Sequence, residues 1–275
     1  QLLWTGLPVL GPLYVGWRLF LRKSTAGANK HGVPLEKEQL DYVTNGGYEQ
    51  LSDGKIVVND VTKINPVVVE AVFRPKDQVE LVNFVSGSKG ALSIGGGRFS
   101  MGGQTASPGS THIDMRGLNR IIYLSPQQKI VRVEAGIRWC DLQKFLDPHN
   151  LSISIMQTYA NFTVGGSLGV NCHGRYVGLG PLSLSVRAVK VVLQNGDILE
   201  CCEAENREIF YAFMGGYGAL GIVLEIELDL AVNVAIERSS KRMRTKSYSR
   251  YFSERVKSDG KALFHNGDIY PPHYS

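Results

Sequence analysis

Apolar and polar positions along this chain come in short bursts whose period switches between two and about 3.6. Residues 66–73 (Pro-Val-Val-Val-Glu-Ala-Val-Phe) read as a strand. A turn at residues 74–77 follows, and then Val79, Leu81, Val82, Phe84 and Val85 fall at helical spacing, stopping near Gly87. Residues 91–94 are the next strand, so the opening is strand, helix, strand, one α/β unit. Residues 112–115, 120–124 and 129–134 alternate as strands do, and Gly136 ends that pattern. Trp139, Leu142, Phe145 and Leu146 mark a helix to about His149, and residues 151–155 return to strand. Residues 185–193 and 198–202 flank Asn195-Gly196-Asp197, a hairpin signal. A short helix at 205–214 and a strand at 222–230 complete the pattern; beyond them only residues 261–264 look strand-like.

The two ends differ from this middle. No charge occurs from Gln1 to Trp17, and Arg18, Arg22 and Lys23 follow. That segment, 1–23, reads either as a membrane anchor with its basic flank on the cytoplasmic side or as an apolar segment packed on the protein. Residues 24–60 are turn-rich and polar, so they are expected to be a linker. Arg238, Lys241, Arg242, Arg244, Lys246 and Arg250 form a basic run, which is either a solvated face or a surface that meets acidic headgroups. The chain starts on Gln and stops at Pro271-Pro-His-Tyr-Ser275 with no closing element, so we expect a piece of a longer protein.

Composition narrows the class. With 275 residues, 43% hydrophobic and 20% charged, the chain is globular and can bury a core. A net charge of +5 suits an anionic cofactor or membrane surface and does not call for nucleic acid. Cys140, Cys172, Cys201 and Cys202 lack metal-ligand spacing, so reduced thiols and no metal are expected. The Asn161-Phe-Thr163 sequon is discounted, because nothing marks the chain as secreted.

The chemistry lies in glycine-rich stretches. The strand at 91–94 empties into Gly95, Gly96, Gly97, Arg98, Phe99, Ser100, Met101, Gly102, Gly103 and Gln104. Such a run turns backbone N–H groups inward as an anion-binding concavity, and an arginine fork suits phosphate. It is not a Walker loop, since no Gly-Lys-Ser/Thr closes it. A second stretch holds Thr163, Gly165, Gly166, Ser167, Asn171, His173 and Gly174. Its small residues would let backbone press on a flat ring, and its hydroxyl, amide and imidazole groups could orient one. Gly216-Tyr-Gly-Ala-Leu-Gly221 fits a dinucleotide fingerprint as letters only: it follows a helix and enters a strand, the inverse of the Rossmann context, which argues against an NAD-dependent dehydrogenase.

Together these stretches, with Gly215 and Ile222, resemble the FAD-binding domain of the vanillyl-alcohol oxidase/PCMH flavoprotein superfamily, most of all its bacterial FAD-linked oxidoreductases. The resemblance runs from about Val61 to Val232. It implies an α+β fold: a two-subdomain FAD-binding domain over 61–232, then the start of a substrate domain, 233–275, that breaks off. The loop 95–104 would cradle the pyrophosphate, 163–175 would line the flavin, and Gly221 and Ile222 would touch FAD through backbone. Relatives that tether FAD through this loop carry histidine directly after the arginine. Here that residue is Phe99, so non-covalent FAD is expected, with Cys172 and His173 leaving a second covalent route open in principle. His173 at the flavin edge is a tentative catalytic residue or a hydrogen-bonded structural one, and no base is assigned. The implied reaction is hydride transfer from an alcohol-type substrate (a sugar, polyol or lactone-like molecule) to flavin N5, with oxygen, a quinone or a carrier as electron acceptor. The protein would sit in the cytoplasm or on the cytoplasmic side of the inner membrane. The competing reading is a non-redox module that binds anions or a membrane surface.

Overall fold

The computed structural model describes residues 48–270, a mixed helix and sheet structure with three sheets. β1 (Tyr48–Gln50), β2 (Ile56–Val58) and β3 (Val67–Val69) form a small antiparallel sheet. β4 (Ala71–Phe73), β5 (Leu92–Gly95) and β6 (Thr111–Asp114) form a parallel sheet with β6 central. α1 (Gln78–Gly87) crosses from β4 to β5, as parallel pairing requires. Asp77 caps it by accepting the Glu80 N–H, and Leu81 and Val85 turn inward.

The third sheet is antiparallel. It contains β7 (Ile121–Ser125), β8 (Ile130–Glu134), β9 (Leu151–Ile153), β10 (Val186–Leu193), β11 (Ile198–Cys202) and β12 (Gly221–Val232). Its order is β11-β10-β12-β8-β7, with β9 paired to the far end of β12. β12 is its spine. Ile222, Leu224, Ile226 and Leu228 alternate into the core, where Trp139, Leu142 and Leu146 of α2 (Trp139–Leu146) are buried as well. Its other face is a charge ladder: Arg132 binds Glu225 and Glu200, both at 2.6 Å, and Arg187 binds Asp229 at 2.9 Å. Gln78 of α1 donates to Glu225 at 2.8 Å and so ties the parallel unit to this face. α3 (Val164–Gly169), α4 (Arg207–Phe213) and α5 (Thr245–Tyr251) complete the named helices.

The structure departs from the sequence expectation at three segments and adds, at residues 164–169, an element the pattern did not assign. Residues 66–73 are two strands, because Glu70 N–H bonds Ser110 O and the chain changes sheet there. Residues 48–60, expected as linker, supply β1 and β2, which cover β3. Residues 164–169 are helical despite three glycines, because Thr163 caps them and the surrounding backbone bonds them. Residues 261–264 make only an isolated bridge, Phe264 to Tyr176. The apolar segment 1–23 lies outside the described residues. Within them, no helix is long and apolar enough to cross a membrane.

Candidate cofactor site

The glycine loop leaves the C-terminal end of β5, and α3 sets its position. A Cβ on Gly96 would overlap Thr163 Oγ1 and lie 3.1 Å from Thr163 Cβ and Cγ2, so glycine is needed there for loop and helix to touch. Thr163 is buried and caps α3, its Oγ1 accepting from Gly166 N–H at 3.3 Å. The other end of α3 holds the third motif: Gly215 N–H bonds Leu168 O and Tyr217 N–H bonds Gly169 O, both at 3.0 Å. The loop beyond returns to β5, where a Cβ on Gly218 would lie 3.0 Å from Ile94 Cδ1. One short helix therefore brings all three glycine motifs together.

Inside the loop, the N–H groups of Gly96, Gly97 and Phe99 donate to no protein acceptor among the described residues. They are an open donor set of the kind an anion takes. The first-turn amides of α3 are different: Val164 N–H bonds Ile137 O at 2.9 Å and Gly165 N–H bonds Ala135 O at 2.7 Å. Helix α3 thus positions the loop and has no first-turn amide left for a ligand.

Arg98 is 2% exposed and adopts a positive φ of 54°, with its guanidinium 4.4 Å from the Tyr48 ring centroid. Beneath it lies a buried polar cluster. His112 Nδ1 is 3.1 Å from Ser93 Oγ, and Asp114 takes Arg116 bidentately at 2.8 and 2.6 Å. Burial, then the neighbouring Arg98 charge, pushes His112 down to about 4, so it is a neutral imidazole. Burial opposes the charge on Asp114, but the bonds from Arg116 prevail and hold its carboxyl below the usual range. Burial, then Asp114, pushes the Tyr48 phenol well above its ordinary value.

Phe99 lies in an aromatic cluster, 4.6 Å from Phe162 and 5.1 Å from Tyr159 between ring centroids. Ser100 is half-buried, Met101 is exposed, and Gln104 closes the loop on itself by accepting Gly102 N–H at 3.0 Å. The far side of the loop is latched by residues 60–65. Val61 N–H bonds Arg98 O, and Asn65 Nδ2 donates to Met101 O, both at 3.0 Å. Asn65 Nδ2 also donates to buried Asp60, whose other carboxylate oxygen accepts Thr62 N–H at 2.8 Å.

The second stretch divides into inward and outward residues. Ser167 is buried, accepting Trp139 Nε1–H at 2.8 Å, and its single hydroxyl proton has two acceptors in reach, Gln157 Oε1 at 3.0 Å and Thr163 O at 2.9 Å. Gly165 faces Ala135, and a Cβ on Gly174 would strike Met156 O. Gly166 and Gly169 face outward beside exposed Val170. Asn171 Oδ1 accepts Ser183 N–H at 3.1 Å. His173 is exposed, and its Nδ1 lies 3.2 Å from Gly174 O. Gly221 begins β12, where a Cβ would strike Val192 O of β10; Ile222 beside it is buried. An open cavity of about 520 Å³, lined by Leu193, Gln194, Asn195, Ile209, Phe213 and Leu220, adjoins Gly221. No three His, Cys, Asp or Glu side chains are grouped to hold a metal among the described residues.

Sequence reasoning missed Tyr48, Asp60, Asn65, His112 and Gln157. Only His112 carried a signal, a polar residue inside an otherwise apolar strand. The Gly216–Gly221 stretch does run from α4 into β12, which excludes the Rossmann fingerprint geometry.

An open-amide glycine loop leaving a parallel sheet, in a mixed helix and sheet domain, is the kind of backbone site that takes an anion. Residues 68–202 match the family described as FAD binding domain, and that stretch is similar to FAD-linked flavoproteins of the vanillyl-alcohol oxidase/PCMH type. It is 37% identical over 117 residues to the L-gulonolactone oxidase of Bos taurus, covering 42% of this chain and 27% of that protein. To the decaprenylphosphoryl-β-D-ribose oxidase of Mycolicibacterium smegmatis it is 30% identical over 166 residues, 60% of this chain and 34% of that protein. To the alditol oxidase of a Streptomyces species it is 30% identical over 161 residues, 58% and 38%. The matched stretches thus span about a third of these relatives' lengths.

Proposed function

We propose that the protein is an FAD-dependent oxidoreductase acting on a CH–OH group of a sugar, polyol or lactone-like substrate. The observation that carries this is the loop 95–104, whose open amides sit on α3 inside a stretch that matches FAD binding domains. The relatives named above, oxidases of a lactone, a ribose derivative and alditols, support the substrate class. When bound, FAD supplies a hydride acceptor at its N5. The chain's own residues bind and orient it. The amides of Gly96, Gly97 and Phe99 would hold the pyrophosphate, and the apolar cavity beside Gly221 offers a seat for a flat base. The exposed face at Gly166 and Gly169, with His173 nearby in sequence, would line the flavin.

In this reading the parallel and antiparallel sheets are the two halves of the FAD domain, and residues from 233 on begin a substrate domain. Substrate must be held at near-attack distance while a base takes the hydroxyl proton, and that base is left unassigned. The electron acceptor is oxygen, a quinone or a carrier. Phe99 provides no nucleophile in its aromatic cluster, so this loop holds FAD non-covalently.

The test is flavin uptake by the purified chain followed by acid precipitation. Yellow protein that releases its flavin to the supernatant supports the reading. Protein that takes up no FAD overturns the function, and flavin that stays in the pellet overturns the non-covalent assignment.

A further inference from the structure

We propose that the exposed stretch 233–250, where the chain leaves β12, is a docking surface for an anionic lipid bilayer. Elsewhere in the described chain most arginines are matched to carboxylates: Arg116 to Asp114, Arg120 to Glu134, Arg132 to Glu225, Arg138 to Asp141 and Arg187 to Asp229. This stretch breaks that habit. The stretch has one acidic residue, Glu237, against six cations, Arg238, Lys241, Arg242, Arg244, Lys246 and Arg250, and residues 238–250 contain no Asp or Glu. All six are exposed, and none forms an ion pair among the described residues. Lys241 rests over the Tyr251 ring at 5.2 Å, a contact that leaves its charge uncompensated. Cations held so close repel one another, and an anionic partner relieves the repulsion.

The apolar neighbours select the partner. Val234 is 55% exposed and Ile236 64%, whereas the Tyr248 ring is already stacked with Phe252 and His265. Aliphatic side chains beside cations insert at the headgroup boundary, whereas single-stranded nucleic acid is held by aromatic stacking platforms. The uncharged residues 1–17, followed by Arg18, Arg22 and Lys23, point the same chain toward a membrane independently. The stretch is also pinned near the candidate flavin edge. Its Tyr248 hydroxyl lies 2.8 Å from His265 Nε2, and His265 N–H in turn bonds Arg175 O at 2.9 Å beside the Phe264–Tyr176 bridge. Docking would set residues 171–175 beside the bilayer. Because the surface lies outside the glycine loops, the proposal stands independently of the flavin reading.

The experiment is sedimentation of the full chain with vesicles of phosphatidylcholine alone, or of phosphatidylcholine with an equal part of phosphatidylglycerol, at low and high salt. Binding to phosphatidylcholine alone measures any insertion of the apolar start and is subtracted. The expected result is a phosphatidylglycerol-dependent component that vanishes at high salt. Replacing Arg238, Arg242 and Arg244 together by Gln should weaken that component about a hundredfold, while flavin uptake is kept. The corresponding triple Lys variant should bind as the parent does, because headgroups read charge. The proposal is overturned if phosphatidylglycerol adds nothing, if the Gln variant keeps the component, if the Lys variant loses it, or if a DNA duplex strips the protein from the vesicles at equal phosphate.

Discussion

Gly96→Ala tests whether the first motif glycine serves the cofactor or the assembly of its site. The added methyl would overlap Thr163 Oγ1, and Thr163 has nowhere to go: it is 2% exposed, and its hydroxyl caps α3. Overpacking of this kind costs about 1 to 3 kcal/mol. Thr163→Ala removes Oγ1 and Cγ2 and forfeits the cap, costing about 1 kcal/mol. If the two sites were independent, the double variant would lose the sum, about 2 to 4 kcal/mol. Relief of the clash predicts that Gly96→Ala with Thr163→Ala is little worse than Thr163→Ala alone, a coupling of about 1 to 3 kcal/mol. Urea midpoints of the flavin-free proteins give the stability cycle, and flavin fluorescence quenching gives the matching affinity cycle. Additive stability losses would refute the argument. So would a Gly96→Ala protein of parental stability that has lost FAD affinity, because then the methyl would meet only the ligand.

Two other sites and one helix give further expectations. His112 has a folded pKa pushed down to about 4, below its ordinary 6.5, so the unfolded chain takes up the proton first as pH falls. Stability is therefore lost between pH 6.5 and 4, by about 2 kcal/mol from pH 7 to pH 5, and His112→Gln should remove that component from urea midpoints measured against pH. Asp60→Asn should set an NH₂ group against Asn65 Nδ2, loosen the latch on Met101 and weaken FAD binding about tenfold, which titration calorimetry would read. Hydrogen exchange of the α3 amides should slow when FAD is added.

The strands and the glycine loop were legible because their periodicity and turn residues act locally: α1, β5 through β8 and the Asn195–Asp197 hairpin lie where the pattern put them. Helix α3 was not. Glycine weakens a helix, and α3 exists through the Thr163 cap and backbone bonds to Ala135 and Ile137, partners distant in sequence. The latch at 60–65 and the Tyr48–Arg98 contact escaped for the same reason. The glycines carry a sharper lesson. In a motif each reads as room for a ligand, yet Gly165, Gly174 and Gly221 face Ala135, Met156 O and Val192 O of the chain itself. A one-dimensional pattern records that a Cβ is forbidden and does not record what forbids it.

That distinction changes how the site must work. Helix α3 has six residues, too few to be stable alone, so its order comes from what packs on it. Its N-terminal end receives Gly96, its C-terminal carbonyls hold Gly215 and Tyr217, and its buried Ser167 joins Trp139 to Gln157. An anion gripped by the amides of Gly96, Gly97 and Phe99 would therefore steady α3 without touching a first-turn amide, since those are already bonded to Ile137 O, Ala135 O and Thr163 Oγ1. Any ligand that binds only the folded state slows opening by mass action. The specific claim is that the slowing reaches Val170 and Asn171, whose N–H groups close α3 onto Gly166 O and Leu168 O, as strongly as it reaches the loop. Protection confined to residues 95–104, with the α3 amides exchanging as before, would mean that loop and helix respond separately and that α3 does not join the motifs into one site.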